Sequence, residues 1–514
     1  MNGSDVKSYI PVDFDPFGEM GAEPVRFPMT EAQREIWASV QLGPESSSAY
    51  NVCDIFRLRG VFSIDAMKTA LQKVFERHQA LRLVCDPDGE TQHVSATTTM
   101  PVATEDLSML SAEARQHQTT EWLRRETSIP FDLEKGPLCR AVILREETQK
   151  HLIVFTAHHI VCDGWSAAVL LQDLPLFYEA ALTGKQAVLP AAYPFQDHVE
   201  AQNEPGQRKQ AAEAEQYWKA QFAKPIEPLE LPLDFLRKPV KSYAAERQRR
   251  QIPEALYREV TRLASLNNCS PYVVLFATLQ VLIHRLTGQG DFVFGAVLAS
   301  QAAEEHASTM VGHATNVLPV RANVDSDTTY RQHLQAAFLQ VLDAFDHQSL
   351  SFGSLVRSLN LPRDSSRNPL VTISFNFEQV TAPVQFPGLE TELLPTPKRF
   401  ATLDAEFHFL KSPAGAFVEC VHSTAILQAA TVQRWLENFE TLLASVCADP
   451  SQKVADMPLL SPEQESALLS PAHEIWQVDE CIHHHFERQV ERTPDAIAVT
   501  SDGVSLTYAE LNGR

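Results

Sequence analysis

The run from His151 to Gly164 constrains this chain more than any other segment. His151 to Ala157 is apolar at nearly every position, so it lacks the alternation of a strand with one wet face. It predicts a strand deep in a sheet, covered on both sides. A second apolar run, Arg140 to Leu144, precedes it, and the charged stretch Arg145 to Lys150 reads as the turn of a hairpin. The buried strand leads directly into His158-His159, then Asp163-Gly164. A helix is predicted from about Ser166, with Leu170, Leu171, Leu174 and Phe177 inward and Gly184 as its stop. Pro175 predicts a kink or break inside that helix.

At 514 residues the chain is longer than one hydrophobic core usually supports, so two or more lobes are expected. With 43 basic and 65 acidic residues the formal charge is −22, which argues against nucleic acid or an anionic membrane as partner. No stretch approaches the roughly 20 apolar residues that span a bilayer. Met1 to Asp5 has neither the basic start nor the apolar centre of a secretory signal. The eight cysteines are scattered with no CxxC pair, which suits reduced thiols and a cytoplasmic location.

Residues 1–26 lack periodicity and read as a linker, with Tyr9 to Phe14 able to strap onto a neighbour. Thr30 with Gln33 predicts a capped helix start, and Ser63 opens a helix through Met67, Leu71, Val74 and Phe75. Residues 185–250, rich in Pro and mixed charge, read as a connection with one helix from Gln210 to Phe222. A second α/β block begins near Pro253. Its helix starts at Ser270-Pro271 and stops at Gly288, and strands are predicted at Phe292 to Val297, Asn316 to Val320 and Leu370 to Phe377. The helix Thr431 to Val446 closes the block. A further linker follows Ser461. The piece from Cys481 to Arg514 predicts a helix and a hairpin from Ala496 to Tyr508, turning at Ser501-Asp502-Gly503. It is too short for its own core and reads as the cut start of another domain.

Adjacent side chains at a strand end point to opposite faces, so His158 and His159 have different tasks, one structural and one facing a substrate. A histidine of near-neutral pKa takes a proton from an attacking amine or holds that amine by a hydrogen bond. Asp163 would fix the loop through an Arg, and Gly164 would let a thioester pass closely. No GxSxG elbow is present and Cys162 has no visible role, which suits direct transfer without a covalent enzyme intermediate.

With its neighbours, the HHxxxDG run at His158 to Gly164 resembles the condensation domains of non-ribosomal peptide synthetases. The supporting segments are Thr30 to Trp37, the RHxxLR element at Arg77 to Arg82, PFDLxxGPL at Pro130 to Leu138, Tyr193 to Asp197, Val311 to Asn316, His347-Gln348 and Arg363 to Leu370. Two departures are visible: Ala157 stands where Met is frequent, and Val161-Cys162 replaces the usual Ile-Ser-like pair. The resemblance implies an α/β fold of two chloramphenicol-acetyltransferase-like lobes, a V-shaped pseudo-dimer with a tunnel between them. It implies lobes at 27–190 and 191–460, a linker at 461–480, and the truncated start of an adenylation domain at 481–514. That last piece is similar to adenylation-domain openings at Ile482 to Val499 and Leu506 to Asn512.

By the same resemblance His159 is the catalytic histidine and His158 is structural. Asp163 is a salt-bridging residue with Arg82 as candidate partner, and Gly164 lines the channel. Trp165, Asn316 and Ser374 are candidate channel residues. The implied reaction is amide formation between a carrier-bound acyl donor, polyketide-type or peptidyl, and a carrier-bound aminoacyl acceptor. The substrates would arrive on phosphopantetheine arms of an upstream and a downstream carrier protein, with an adenylation domain in cis and no other cofactor. Thr30 to Trp37 and Ala49 to Asn51 resemble condensation domains downstream of polyketide modules, which favours a polyketide donor. A starter domain acylating an amino acid from coenzyme A or a carrier, and a non-catalytic recruitment domain, are the alternatives. The cluster His483 to His485 does not predict a metal site, because consecutive histidines on one helical turn diverge.

Overall fold

The computed structural model describes residues 25–95, 99–299, 306–362, 364–379, 384–469, 481–501 and 504–514. The strap at Tyr9 to Phe14, Arg363, the stretch 470–480 and the Asp502-Gly503 turn lie outside the described residues. Backbone contacts divide the chain into one unit ending at Leu459 and another beginning at Leu460.

In the first unit the predicted hairpin forms as strands Cys139–Glu147 and Lys150–His158. The strands run further than the charged stretch suggested, so the turn between them is tight. Lys150–His158 is the central strand of a five-stranded sheet, between Asn51–Arg59 and Cys139–Glu147. It is covered on both sides, as its composition requires. Ile153, Phe155 and Ala157 join the core that contains residues of the helices Ile64–Arg77 and Gly164–Thr183, while Leu152 and Val154 pack with Trp122 and Leu123 of Ala112–Glu126. Full burial of such side chains contributes about 1.5 to 3 kcal/mol each.

The helix after the motif starts at Gly164, two residues before the predicted start, because Asp163 caps it. It continues through Pro175 without interruption and ends at Gly184, whose φ of 66° is the left-handed conformation glycine adopts freely. The Thr30–Gln33 capping box forms, and Ser63 caps Ile64–Arg77. A small third sheet holds Arg26–Pro28, Thr91–Val94 and Leu83–Cys85. Its first strand starts inside the stretch read as linker.

The six-stranded sheet runs in the order Thr315–Asn323, Asp291–Ala299, Ile373–Gln379, Ala405–Ser412, Gly415–Ser423, Ala245–Ile252. Ala245–Ile252 corrects the reading of 185–250 as a connection with one helix only. Its sequence AERQRRQI has no apolar alternation, yet it pairs along its length with Gly415–Ser423. One face of this sheet packs Phe375, Phe407, Phe409, Val418 and Cys420 against the helices Pro271–Thr287, Tyr330–Asp346 and Ala429–Ala448. Sheet membership also departs from chain order: Glu390–Leu394 crosses back to pair with Asn51–Arg59 at the edge of the five-stranded sheet.

The second unit holds the helices Pro462–Leu469 and Ile482–Arg492, the hairpin Ile497–Ser501 with Val504–Thr507, and the helix Tyr508–Asn512. Pro462–Leu469 lies within the stretch predicted as linker and buries none of its residues. Among the described residues no single helix is long and apolar enough to cross a membrane.

Candidate active site

A cavity of about 2420 Å³ lies within the first unit, lined by both large sheets and the start of Gly164–Thr183. The end of the buried strand supplies its centre. His158 and His159 diverge as the strand geometry requires. His158 is fully buried, with the ring of Phe131 edge-on at 6.1 Å and Tyr50 at 6.0 Å. Burial, with His159 and His313 nearby, pushes its pKa down to about 3, so it is a neutral packing residue. His159 lines the cavity, its backbone N–H donating to the Tyr50 carbonyl at 2.8 Å. Burial also holds its pKa below the ordinary histidine value, against the raising influence of Asp163.

Asp163 is the N-cap of Gly164–Thr183. Its Oδ1 accepts from the Ser166 backbone N–H at 2.8 Å and the Ser166 hydroxyl at 2.7 Å. Its Oδ2 accepts from the Ala314 backbone N–H and the Thr315 hydroxyl, both at 3.0 Å. Burial opposes ionisation of this carboxyl, but the His313 ring and the backbone N–H groups of Ser166 and Ala314 outweigh it and hold the pKa below the usual carboxylate range. The Ser166 hydroxyl also lies 2.7 Å from the Gly312 carbonyl and 3.0 Å from the Gly312 N–H. The turn after the strand is thereby clasped to the loop that enters Thr315–Asn323.

Arg82 does not pair with Asp163, which corrects the partner expected for it. Arg82 ends a short 3-10 turn at Gln79–Arg82, and its charge acts on Glu76. Asp163 accepts instead from Ser166, Ala314 and Thr315.

Gly164 faces open space: a Cβ there meets no atom within 4 Å, so protein packing does not require glycine at this position. Trp165, Asn316 and Ser374 also line the cavity. The Asn316 amide is fully engaged in holding its own neighbourhood. Nδ2 donates to the carbonyls of Gln348 at 3.0 Å and Leu350 at 2.9 Å, while Oδ1 accepts from the N–H of Val317 and Phe352. Ser374 is buried opposite Gly295 and Glu406 in the sheet.

The sequence reading missed His313, although Val311 to Asn316 was singled out. His313 is 6% exposed and its Nδ1 lies 3.0 Å from Nδ1 of His159. It also missed the polar lining of the six-stranded sheet. Arg247 and Arg249 both pair with Glu419 at 3.1 Å, and Glu406 accepts from the N–H groups of Thr402 and Leu403. Asp54 and Lys398 line the same cavity; burial raises the Asp54 carboxyl to about 6 and lowers the Lys398 ammonium. Period-2 alternation carries this pattern in Ile373–Gln379, where Ser374, Asn376 and Glu378 face the cavity while Phe375 faces the core.

The family profile described as "Condensation domain" matches residues 25–469. The chain is 29% identical over 503 residues to chondramide synthase of Chondromyces crocatus, covering 95% of this chain and 13% of that synthase. Its fold is similar to the X-domain from teicoplanin biosynthesis, with a TM-score of 0.75 and 20% identity over 86% of this chain and 99% of that one. It is likewise similar to the condensation domain of the monacolin K polyketide synthase, with a TM-score of 0.74 and 19% identity over 84% and 99%. The α/β fold, the profile match across both large sheets and the intact HHxxxDG turn at the cavity agree: the chain belongs to the condensation-domain family.

Proposed function

We propose that this chain forms an amide bond between an acyl thioester and the amine of an aminoacyl group, each held on the phosphopantetheine arm of a carrier protein. The observation that carries this reading is a neutral His159 imidazole on the wall of a cavity large enough for both arms, beside the open surface at Gly164. The amine nitrogen attacks the thioester carbonyl, the C–S bond breaks, and the departing sulfur leaves as a thiol with the proton the amine gives up. His159 acts on the amine, by taking that proton or by orienting the nitrogen for attack. Cys162 is a poor alternative nucleophile, since it is buried and its thiol is pushed well above the ordinary cysteine value.

The other roles follow from position. Asp163 holds the turn and His158 supports it, while Gly164, Trp165 and Ser374 border the substrate path. Asn316 shapes that path through its backbone partners. Arg82 has no place in this arrangement. Division into lobes at 27–190 and 191–460, and of 481–514 as the beginning of an adenylation domain, fits the two sheets and the separate second unit. Unpaired cysteines throughout fit a cytoplasmic location.

For the donor we favour a polyketide-type or peptidyl group on an upstream carrier protein, with the acceptor on a downstream peptidyl carrier. The test loads both carriers and follows the product by mass spectrometry with wild type and His159→Ala. Loss of product by about a hundredfold or more is expected, and an unchanged rate would return the chain to a non-catalytic recruitment role. Acyl-CoA offered beside the acyl-carrier identifies the donor; efficient use of the free thioester would favour a starter domain.

A further inference from the structure

We infer that His313 is a positioning residue that fixes the tautomer of His159, keeping the proton on Nδ1 and turning a bare Nε2 toward the cavity. The inference rests on His159 acting on the amine and specifies how: His159 is a base and not only a hydrogen-bond donor.

Geometry carries the argument. The rings of His159 and His313 meet edge-on, with centroids 4.9 Å apart and planes at 79°. Their Nδ1 atoms are 3.0 Å apart, a hydrogen-bond distance. Two imidazole nitrogens in such contact must present one N–H and one lone pair, so the tautomer of one ring dictates that of the other. The contact is built in. The loop on both sides of His313 is tied to the turn that carries His159, through Ser166 with Gly312 and through Asp163 with Ala314 and Thr315.

The direction of the bond follows from what surrounds the pair. The backbone carbonyl of His159 favours a proton on its own ring, whereas the Asp163 carboxylate acts on both rings and does not choose between them. Nδ1 is the ring nitrogen that can reach a residue's own main chain. His313 is almost fully buried and stays neutral, with burial and the His159 ring disfavouring its charged form and outweighing the Asp163 carboxylate. With the His159 proton on Nδ1, His313 offers its own Nδ1 lone pair across the 3.0 Å contact and carries its proton on Nε2. His159 is left with Nε2 unprotonated, the form that accepts a proton from an amine.

The full chain with 15N-labelled histidine tests this by two-bond 1H–15N correlation at neutral pH, with His159 assigned by its loss in His159→Ala. A pyrrole-type Nδ1 and a pyridine-type Nε2 are expected in wild type. His313→Leu removes the side-chain acceptor and leaves the Nδ1 proton only the main-chain carbonyl of His159, so the His159 tautomers should mix and kcat should fall about tenfold with little change in KM. His313→Asn places an amide oxygen where Nδ1 was, and should recover most of the rate and the wild-type spectrum. A pyridine-type Nδ1 in wild type, or a folded His313→Leu with wild-type kcat and tautomer, overturns the inference. Should the Leu variant fail to fold, wild type and His313→Asn still decide it. An active His159→Ala would instead remove the role of His159 while leaving the measured tautomer intact, so the two failures are told apart.

Discussion

The Oδ2 of Asp163 accepts a hydrogen bond from the backbone N–H of Ala314 at 3.0 Å, across 151 residues of chain. A family motif aspartate expected to meet an arginine instead joins the histidine turn to the loop carrying His313. Oriented N–H and O–H groups of Ser166, Ala314 and Thr315 surround the Asp163 carboxylate.

Asp163→Asn should therefore destabilise the fold. Either orientation of the amide sets an N–H group against a backbone N–H that the carboxylate now satisfies, that of Ser166 or that of Ala314. A loss of about 2 to 3 kcal/mol is expected, read from urea unfolding. A midpoint equal to wild type would mean the clasp is not needed for stability.

Gly164→Trp should leave stability within about 0.5 kcal/mol, because a side chain there enters open space. Condensation should nonetheless fall at least about tenfold if the indole blocks the substrate path. Thermal denaturation and a product assay on the same preparation separate the two effects. Full activity would place the path elsewhere.

Asn316→Asp should be more damaging than Asn316→Ala. The aspartate turns an anion toward the Gln348 and Leu350 carbonyls that the amide now serves, whereas alanine only leaves them without a donor. Costs of about 1 to 3 kcal/mol are expected for alanine and more for aspartate. Calorimetric melting of the two variants gives the order.

Stability should fall as pH drops below about 6.5. His158 and His313 are depressed to about 3 and His333 to about 4, chiefly by burial. The unfolded chain binds protons at these sites from about pH 6.5 downward while the folded chain does not, so their contribution is complete above that pH. It is lost as pH approaches the folded values, at about 1.4 kcal/mol per pH unit for each fully titrating site. Asp54, raised to about 6 by burial, works in the opposite direction below that pH. Denaturant midpoints at pH 7.5, 6.5 and 5.5 should decline in that order, and a flat profile would contradict neutral burial of these histidines.

Much of the site's first half was legible because its causes are local. Apolar residues on both faces of His151 to Ala157 leave no arrangement but a covered strand, and strand geometry alone sends His158 and His159 to opposite sides. Thr30, Ser63 and Gly184 mark helix ends through bonds or dihedrals within a few residues of themselves. Ala245–Ile252 escaped notice for the opposite reason. Arg247 and Arg249 line the cavity and find Glu419 on the neighbouring strand, while Arg250 pairs with Glu437 and Glu440 of Ala429–Ala448, so the apolar alternation that signals a strand is missing.

The sequence by itself thus determined the strand, the histidine turn and the helix starts at Thr30 and Ser63, since periodicity and capping act over a few residues. Tertiary structure alone decided that His313 meets His159, that Asp163 is held by Ala314 and Thr315 and not by Arg82, and that Gly164 borders open space. Those contacts depend on where a loop some 150 residues downstream returns, and the packing of two separate sheets sets that path.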